Sequence, residues 1–413
     1  MEAEESTKNP HYHQKQNQVM QVLQVLKEAS QILQDKPQQN ANDPSSSSFI
    51  QALLDFETES DLFSYDPNLS ALSRHLTHLK SLLHNQPDHP SIPSLRSFLR
   101  RRSSHHQISR VAASIESEIQ SWIDRETVDR LVLSLSSSAS SADDDNKIQL
   151  LDAFESRISQ GFDRDLQDLV LKSKTFESVE SALCNPAESK RVRERAARVI
   201  AALVRFNKDV FVGQVLMGPT VRALVAMATA DSIVVLCGLV RSIKSALVDD
   251  IEIPKIINLL NVEDVEIRIA AIDLIMEIGY FGRKEAIEAM LEEGLVKKLV
   301  ELQRSDGGGS LIEIGGDGFD EEEEGVSVER MEKEEKSKER RWLERHPFAS
   351  CVARFAIQME VGEGLRQRER RAFKQEVLKR VREAVISDAE AATILAEVSP
   401  LSLPWRVTHS LRR

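Results

Sequence analysis

The chain is poor in aromatic residues and in positive charge, and each shortage narrows what the protein can be. Aromatic residues make up 5% of 413 positions, so a core must be built mainly from Leu, Val, Ile and Ala, which favours helix packing over a β-sandwich. Lys and Arg number 54 against 66 Asp and Glu, a formal charge of −12. Because phosphate binding needs a basic surface, we expect no nucleic-acid partner.

Cysteines and long apolar runs are also scarce. Cys184, Cys237 and Cys351 are odd in number and too widely spaced for a zinc motif or a disulfide framework. No apolar run approaches the ~18 residues of a membrane span, and the N-terminal sequence is acidic, unlike a targeting peptide. We therefore expect a cytoplasmic protein without stable membrane insertion, and we leave nuclear residence open.

What the chain does contain is a repeated helical pattern. Apolar residues at i, i+3, i+4 and i+6 occur three times, starting at Val221, Ile253 and Val296. This spacing lines one side of a short helix, and that side needs a neighbour to cover it. The steps between the copies are 32 and 43 residues, and the longer one is typical of helical solenoid repeats. The shorter step predicts that the middle repeat has lost one helix.

Longer helices with a buried pair of small residues accompany this pattern. The stretches from Arg191 to Phe206 and from Glu266 to Gly279 each contain an Ala-Ala pair, which lets a neighbouring helix approach closely. Gly218 and Gly294 stand at the breaks, where glycine suits a left-handed helix end, and Pro254 suits the first turn of a helix.

The sequence from Glu252 to Val296, with Ala270-Ala271 and Arg283-Lys284-Glu285, resembles one complete armadillo repeat. The resemblance extends from about Phe176 to Gln303. It implies an α-solenoid that binds other proteins along an extended surface. A helical bundle followed by armadillo repeats is also similar to the layout of plant proteins that carry a U-box between the two parts. No U-box counterpart occurs between Leu135 and Phe176, so a direct ubiquitin ligase is not expected.

The remaining sequence predicts the boundaries of the domains and linkers. Apolar residues with helical spacing, including a seam of two heptads from Leu69 to Leu83, predict an N-terminal bundle. The run from Asp320 to Glu324 predicts a disordered insertion that splits the last repeat, and Ser387 with Glu390 predicts a capping box. The predicted domains are a helical bundle with a flexible N-terminus (1–135), a Ser/Asp-rich linker (136–146), armadillo-like repeats (147–305), a disordered Gly/acidic insertion (306–339), C-terminal helices completing the solenoid (340–399) and a tail (400–413).

No catalytic, cofactor-binding or metal-binding set emerges, so we expect no enzyme and no cofactor. The glycines near Gly307 and Gly316 fit neither phosphate-binding motif and are interpreted as a flexible loop. His75, His78, His84 and His89 lack further ligands and are interpreted as solvent-facing. Three arginines precede Ser103 and Ser104, and we predict these serines as phosphosites in an exposed loop.

The leading hypothesis is a non-catalytic scaffold or adaptor that binds protein partners of unknown identity, in an unknown oligomeric state. Its third helices, from Asn207 to Met217 and from Arg283 to Glu292, are predicted to line the concave side. The partner-binding candidates are Asn207, Lys208, Arg283, Lys284 and Glu288.

Three alternatives to the plain scaffold stay open. One is an adaptor in ubiquitin-ligase signalling. Another is a nuclear import receptor, although no Trp lies in the well-formed repeats. The third is a peripheral protein recruited to membranes by the helix from Arg366 to Arg382. The acidic insertion is interpreted as a linker, or as a segment that occupies a basic surface of a partner or of Arg366, Arg368, Arg370, Arg371 and Lys374.

Overall fold

The computed structural model describes residues 70–84, 95–137, 144–309 and 345–398, together with Met20, Leu23, Gln24, Lys27, Glu28, Ser30 and Gln31. These residues contain helices and no strand, which confirms the predicted all-α fold. The helices are α1 (Ser70–His84), α2 (Leu95–Ser136), α3 (Asp144–Ser159), α4 (Arg164–Lys172), α5 (Thr175–Cys184), α6 (Lys190–Phe206), α7 (Lys208–Met217), α8 (Thr220–Met227), α9 (Ala230–Ile243), α10 (Ser245–Val248), α11 (Ile253–Asn258), α12 (Val265–Phe281), α13 (Lys284–Glu292), α14 (Leu295–Gln303), α15 (Cys351–Val361), α16 (Gln367–Ala384) and α17 (Asp388–Val398). A 3-10 turn, Leu259–Asn261, follows α11.

The described residues form two compact units, one within 1–134 and 163–175 and the other within 135–162 and 176–413. In the first, α1 and α2 bury an apolar cluster that Leu23 joins. The amide oxygen of Gln120 on α2 accepts a hydrogen bond from Lys27 at 2.5 Å. This is the N-terminal bundle that helical spacing predicts, and its buried members are Leu23, Leu72, Leu76, Leu79, Ile108, Val111, Ala112, Ile115, Ile119 and Trp122.

The second unit is organised by a row of longer helices. In this row α3 packs on α6, α6 on α9, α9 on α12, α12 on α15 and α15 on α17. From α6 to α15, two shorter helices follow each member of the row before the next one, which is the three-helix period of an armadillo-like stack. The Ala196-Ala197 and Ala270-Ala271 pairs are buried, as close helix packing requires.

Short polar residues start five of the described helices. The side chains of Asp163, Ser189, Asn207, Thr229 and Asp264 each accept a hydrogen bond from a backbone N–H in the first turn of the helix that follows. Each bond satisfies a donor that has no partner inside the helix. A single polar residue therefore marks the start of each of these five helices.

The middle repeat keeps a remnant of the helix that the spacing predicts to be missing. Its position is occupied by α10, a single turn of four residues. Pro254 stands in the first turn of α11, as predicted. The helix is shortened rather than deleted, so the row α9 to α12 continues without a gap.

The last repeat is interrupted between α14 and α15, as predicted. The Phe348 N–H donates to the Gly307 carbonyl at 3.0 Å, and the Ser350 N–H donates to the Gly309 carbonyl at 3.0 Å. We call these paired residues, 307–309 and 348–350, the neck. The neck joins the segment after α14 to the segment before α15, so these two helices pack as parts of one repeat. Residues 310–344 lie outside the described part of the chain.

Three local predictions are wrong. Ser103 and Ser104 lie within α2, not in a loop, because no Gly or Pro follows Pro93 to end a helix. Gly218 has φ −88°, not a left-handed conformation; glycine is favoured there because a Cβ would lie 2.7 Å from the backbone carbonyl oxygen of Gln214. Gly307 and Gly309 are ordered in the neck, with φ of +90° and +120°.

Of two other predictions about helix ends, the left-handed glycine is confirmed, and the capping box forms only one of its two hydrogen bonds. Gly294 is left-handed, with φ +77°. At the start of α17, Ser387 Oγ accepts from the Glu390 N–H at 3.2 Å. The Glu390 carboxylate turns instead to the Ile386 N–H at 2.9 Å, so the capping box is not reciprocal.

Candidate docking groove on the row of long helices

A concave feature of the second unit lies on its row of long helices. A cavity of about 260 Å³ opens across α9, α12 and α15. Side chains from all three helices and from the turn after α15 line it, so it is a product of the stacking and not of any one repeat. The lining residues are Arg241, Asp273, Met276, Glu277, Tyr280, Phe281, Arg354, Gln358 and Glu363. We call this feature the groove.

Arginine–carboxylate pairs join the successive long helices from α3 to α15, and two of them enter the groove. Outside it, Arg195 Nη1 lies 3.2 Å from Asp152 Oδ1, and Arg198 Nη2 lies 2.8 Å from Asp231 Oδ2. In the groove, Arg241 Nε donates to Glu277 Oε1 at 2.8 Å, and Arg354 Nη2 lies 3.9 Å from Asp273 Oδ1. The exposed edge of the row is thus lined by fixed, alternating charges.

Asp273 is the least satisfied of these carboxylates. It lies recessed between α12 and its neighbours, although 53% of its side chain is still accessible. Burial raises the pKa of this carboxyl, opposed by the positive charges of Arg354 and Arg241. At 3.9 Å, Arg354 is only a loose partner. The carboxylate therefore has room for a further donor or cation.

Arg354 forms the opposite wall and is almost fully buried, at 7% exposure. Its Nη1 donates to the Pro347 carbonyl at 2.8 Å, whereas its buried Nε has no hydrogen-bond partner among the described residues. Aromatic side chains form the floor: Tyr280 and Phe281 meet edge to face, with ring centroids 4.7 Å apart. The groove thus combines an apolar base with charged walls.

The end of the groove is closed by the turn Gly362-Glu363-Gly364. The Glu363 and Gly364 N–H groups both donate to the Tyr280 carbonyl, at 2.8 and 3.1 Å. A Cβ on Gly364 would lie 2.0 Å from the Gly282 carbonyl oxygen, so only glycine allows this approach. The turn holds Glu363 at the rim.

Lys244 reaches the same rim from the end of α9 in a strained conformation, with φ +68° and ψ −142°. Its Nζ lies 2.7 Å from Glu363 Oε2 and 5.8 Å from the centroid of the Phe281 ring. Backbone strain of this kind is usually retained where geometry matters. Lys244 therefore links α9 directly to the turn that ends the groove.

The residues predicted as partner-binding sites are located elsewhere and fall into two places. Asn207 accepts from the Asp209 N–H at 3.1 Å and caps α7, next to the exposed Lys208. Arg283 pairs with Asp249 at 2.6 Å, at the start of α13. Lys284 lies 3.3 Å from Glu288 on the same helix.

The single-turn α10 stands where a third helix between α7 and α13 is expected. A continuous surface of equivalent helices is therefore found on the long row and not on these third helices. Whether the predicted residues bind a partner stays a prediction.

Sequence reasoning missed the groove residues because it used the long helices only for their buried faces. A signal was present. In α12, whose residues from Ile269 to Phe281 are otherwise apolar, Asp273 and Glu277 are acidic residues four apart, which places them on one face. Gly362 and Gly364, two glycines separated by one residue, are the second signal.

Residues that could carry chemistry are dispersed in the described part of the chain. No group of three or more His, Cys, Asp or Glu is arranged there to hold a metal ion. His75 is half-buried and His78 exposed, while the His84 side chain and His89 lie outside the described residues. No single described helix is long and apolar enough to cross a membrane; α7 and α8 reach that length and composition only together, across a bend of 68°.

The three thiols are free and lie in different environments. Cys237 and Cys351 are buried, and Cys184 is half-buried. Burial raises the pKa of the Cys351 thiol to about 12 and that of Cys237 well above its usual range. Cys351 Sγ also donates to the Leu299 carbonyl at 3.0 Å. All three behave as packed small side chains, not as activated nucleophiles.

We expect only Cys184 to react quickly with a thiol reagent such as DTNB in the native protein at pH 8. Cys184→Ser should remove the fast phase, and the other two thiols should react only on unfolding.

The stability of the protein at alkaline pH gives a second measure of thiol burial. An unfolded thiol ionises near pH 8.5 and folded Cys351 near pH 12, so stability should fall as pH rises between these values. Cys351→Ala should flatten that fall; fast labelling of Cys351 would contradict its burial.

Comparison with known proteins adds little beyond this geometry. No family model matches the sequence, and no curated protein matches it significantly. Two designed armadillo repeat proteins align with 65% of this chain and with 99% and 98% of their own, at 13% and 15% identity and a TM-score of 0.37. The second was solved in complex with the peptide (KR)4. An engineered protein of a structural genomics consortium covers 94% of this chain and 89% of its own, at 16% identity and a TM-score of 0.38.

Proposed function

We propose that this protein is a non-catalytic scaffold that binds an extended segment of a partner protein in the groove. The observation that carries the proposal is a recess built jointly by three successive long helices. At about 260 Å³ it lies below the usual range of pockets that enclose a small ligand, but it has room for a side chain. Its lining contains arginines, carboxylates and aromatic rings but no Ser, Cys or His, a composition suited to binding rather than to nucleophilic chemistry.

The electrostatics favour a basic side chain as the group that enters. The lining carries three carboxylates and two guanidinium groups, and Arg241 is already held by Glu277 at 2.8 Å. Asp273 is the accessible carboxylate without a close partner. The Tyr280 and Phe281 rings belong to the same lining, and cations bind favourably near aromatic rings. In this proposal the protein acts in the cytoplasm, with no cofactor.

Charge reversal at Asp273 tests the proposal. Asp273→Arg should repel a basic side chain. About half of the Asp273 side chain is accessible, so the introduced guanidinium can extend into solvent, although the nearly buried Arg354 loses its counter-charge. In proximity labelling of cells, we expect it to lower the recovery of specific neighbours at least about tenfold, the effect of some 1.4 kcal/mol of lost binding. Recovery should also fall as pH drops through the raised pKa of Asp273, because the protonated carboxyl no longer attracts a cation.

Two further variants make the result specific. Glu301→Arg is the matched control, since it reverses a half-exposed charge on α14, away from the groove. Arg283→Glu with Lys284→Glu tests the surface predicted from sequence. Unchanged neighbours with Asp273→Arg, together with a loss in the double variant, would transfer the docking surface to α13 and reject the groove.

A further inference from the structure

The helix α16 carries basic residues in two different situations. Some of them are used inside the protein. Arg370 Nη2 donates to the Gly362 carbonyl at 2.6 Å, Lys374 Nζ lies 2.6 Å from Glu360, and Arg380 Nε lies 2.7 Å from Glu376. Arg380 also donates to the Leu291 carbonyl on α13. These contacts fix α16 to the repeats, so its other charges face outward.

Four cations remain on the solvent face of the same helix. Arg368, Arg371, Lys379 and Arg382 are exposed, and none makes an ion pair with a described residue. Steps of three, eight and three residues, with exposed Gln375 between, put them on one face. At 1.5 Å per residue the face is about 21 Å long. We call these four residues the basic strip.

The strip is unusual in this chain and cannot be explained by packing. The protein carries a formal charge of −12, yet here four positive charges share one helix face without a direct ion pair to a described residue. The apolar side of α16, with Phe373, Val377 and Val381, is buried against the protein. It is therefore not available to enter a membrane, as an amphipathic membrane helix requires. A polyanionic polypeptide is the partner that this arrangement fits.

The chain itself contains such a polypeptide. Between Glu313 and Glu329 there are eight carboxylate residues and no basic residue. The neck fixes where this stretch leaves and rejoins the fold, between α14 and α15. The helix α16 packs on both of these helices. The acidic stretch is therefore tethered next to the helix that bears the basic strip.

Chain length permits the contact. An extended chain covers about 3.3 Å per residue, so the residues from Gly309 to Asp320 can span roughly 35 Å. The 18 residues of α16 extend only about 27 Å. Tethering at this range raises the effective concentration to about the millimolar level, which makes even a weak electrostatic contact well populated.

We propose that the acidic stretch from Glu313 to Glu329 docks on the basic strip of α16 in the same molecule. Docking neutralises the four cations and keeps other polyanions off this face. The contact depends on salt, because exposed charges are screened within about 10 Å at 0.1 M ionic strength.

Zero-length carbodiimide cross-linking of the full chain tests this. Lys379 is the one amine of the strip, so the expected product is an intramolecular link from Lys379 Nζ to a carboxylate between Glu313 and Glu329. It should be found by mass spectrometry in the monomer fraction. We expect its yield to fall at least about fivefold in 0.5 M salt. It should fall as much at low salt when Arg368, Arg371 and Arg382 are changed to Gln, since these changes keep the reacting amine.

Two controls distinguish docking within one molecule from random collision and from binding of a second copy to the basic strip. Lys208 is exposed on α7, and equal cross-linking of the acidic stretch to Lys208 and to Lys379 would show random collision and overturn the proposal. Links found only in a dimer fraction would assign the strip to a second copy, and an absent link would also overturn it.

Vesicles rich in phosphatidylserine, at low salt, supply the second readout. The wild type should bind them at least about tenfold more weakly than a variant with Glu321, Glu322, Glu323 and Glu324 changed to Gln. Equal binding by both proteins would show that the strip is open, and would contradict docking.

Discussion

Replacing Lys147 with Met is expected to destabilise the second unit by about 3–5 kcal/mol, more than any surface substitution in this chain. Lys147 on α3 has a fully buried side chain, and its Nζ lies 2.8 Å from Glu188 Oε1, whose side chain is 3% exposed. The Met side chain fills a similar volume, so packing is nearly kept. The cost arises because Glu188 is left as a buried charge without its cation.

The double variant separates the value of the pair from the cost of breaking it. Lys147→Met with Glu188→Leu removes both charges, and we expect it to recover most of the loss, ending within about 1 kcal/mol of the wild type or above it. Urea unfolding of the full chain, with hydrogen exchange read at α3 and α6, measures both variants. The matched control is Lys298→Met on α14, whose half-exposed pair with Glu301 at 3.6 Å should contribute less than about 1 kcal/mol.

An equal loss in the single and double variants would contradict this account. It would mean that the Lys147 side chain acts through its hydrocarbon stem and not through its charge.

The Lys147–Glu188 pair is also a contact that the sequence does not reveal. Nothing in the spacing of Lys147 and Glu188 predicts that they meet, because they are brought together only when the segment before α6 folds back on α3.

Helical periodicity was sufficient to predict the class of fold and most of its elements. The spacing of Ile253, Ile256 and Ile257 predicts a short helix with one buried side, and the structure buries all three. Such patterns work because a solenoid buries the same face in every repeat. The shortened α10 and the split last repeat were also visible as irregular steps in the pattern.

Prediction failed where tertiary contacts decide the outcome. The groove depends on which helices stack, and periodicity alone cannot distinguish the long row from the third helices. Gly362 and Gly364 are needed for close approach between backbone segments distant in sequence, which a local rule cannot detect. The polar stretch around Ser103 and Ser104 does not by itself favour a helix strongly. It is helical in the structure because α2 continues through it.

The second large effect is expected at Glu397, which ties the C-terminal helix to the neck. Its Oε1 accepts from Ser350 Oγ at 2.6 Å, and its Oε2 accepts from Gln303 Nε2 at 3.1 Å. Glu397 is fully buried. Gln303 and Ser350 stand at the two sides of the neck, and Ser350 has an unusual φ of +44°. One carboxylate on α17 therefore holds both sides of the interrupted repeat.

We expect Glu397→Ala to destabilise the second unit by about 2–4 kcal/mol, since two hydrogen bonds to a charged group are lost and their buried partners are left behind. Glu397→Gln keeps the shape and an acceptor for Ser350, so its cost should be nearer 1 kcal/mol. Glu383→Ala, at an exposed position on α16, is the control and should change stability by less than about 0.5 kcal/mol.

Hydrogen exchange distinguishes loss of the neck from general unfolding. The Phe348 and Ser350 amides donate across the neck at 3.0 Å, so in Glu397→Ala their protection should fall further than that of amides in α6 or α9, which lie far along the row. Equal loss everywhere would mean that Glu397 stabilises only the unit as a whole. A selective loss of protection at the Phe348 and Ser350 amides would instead show that α17 stabilises the repeat that contains the neck. The helix α17 would then be part of the anchor for the acidic stretch.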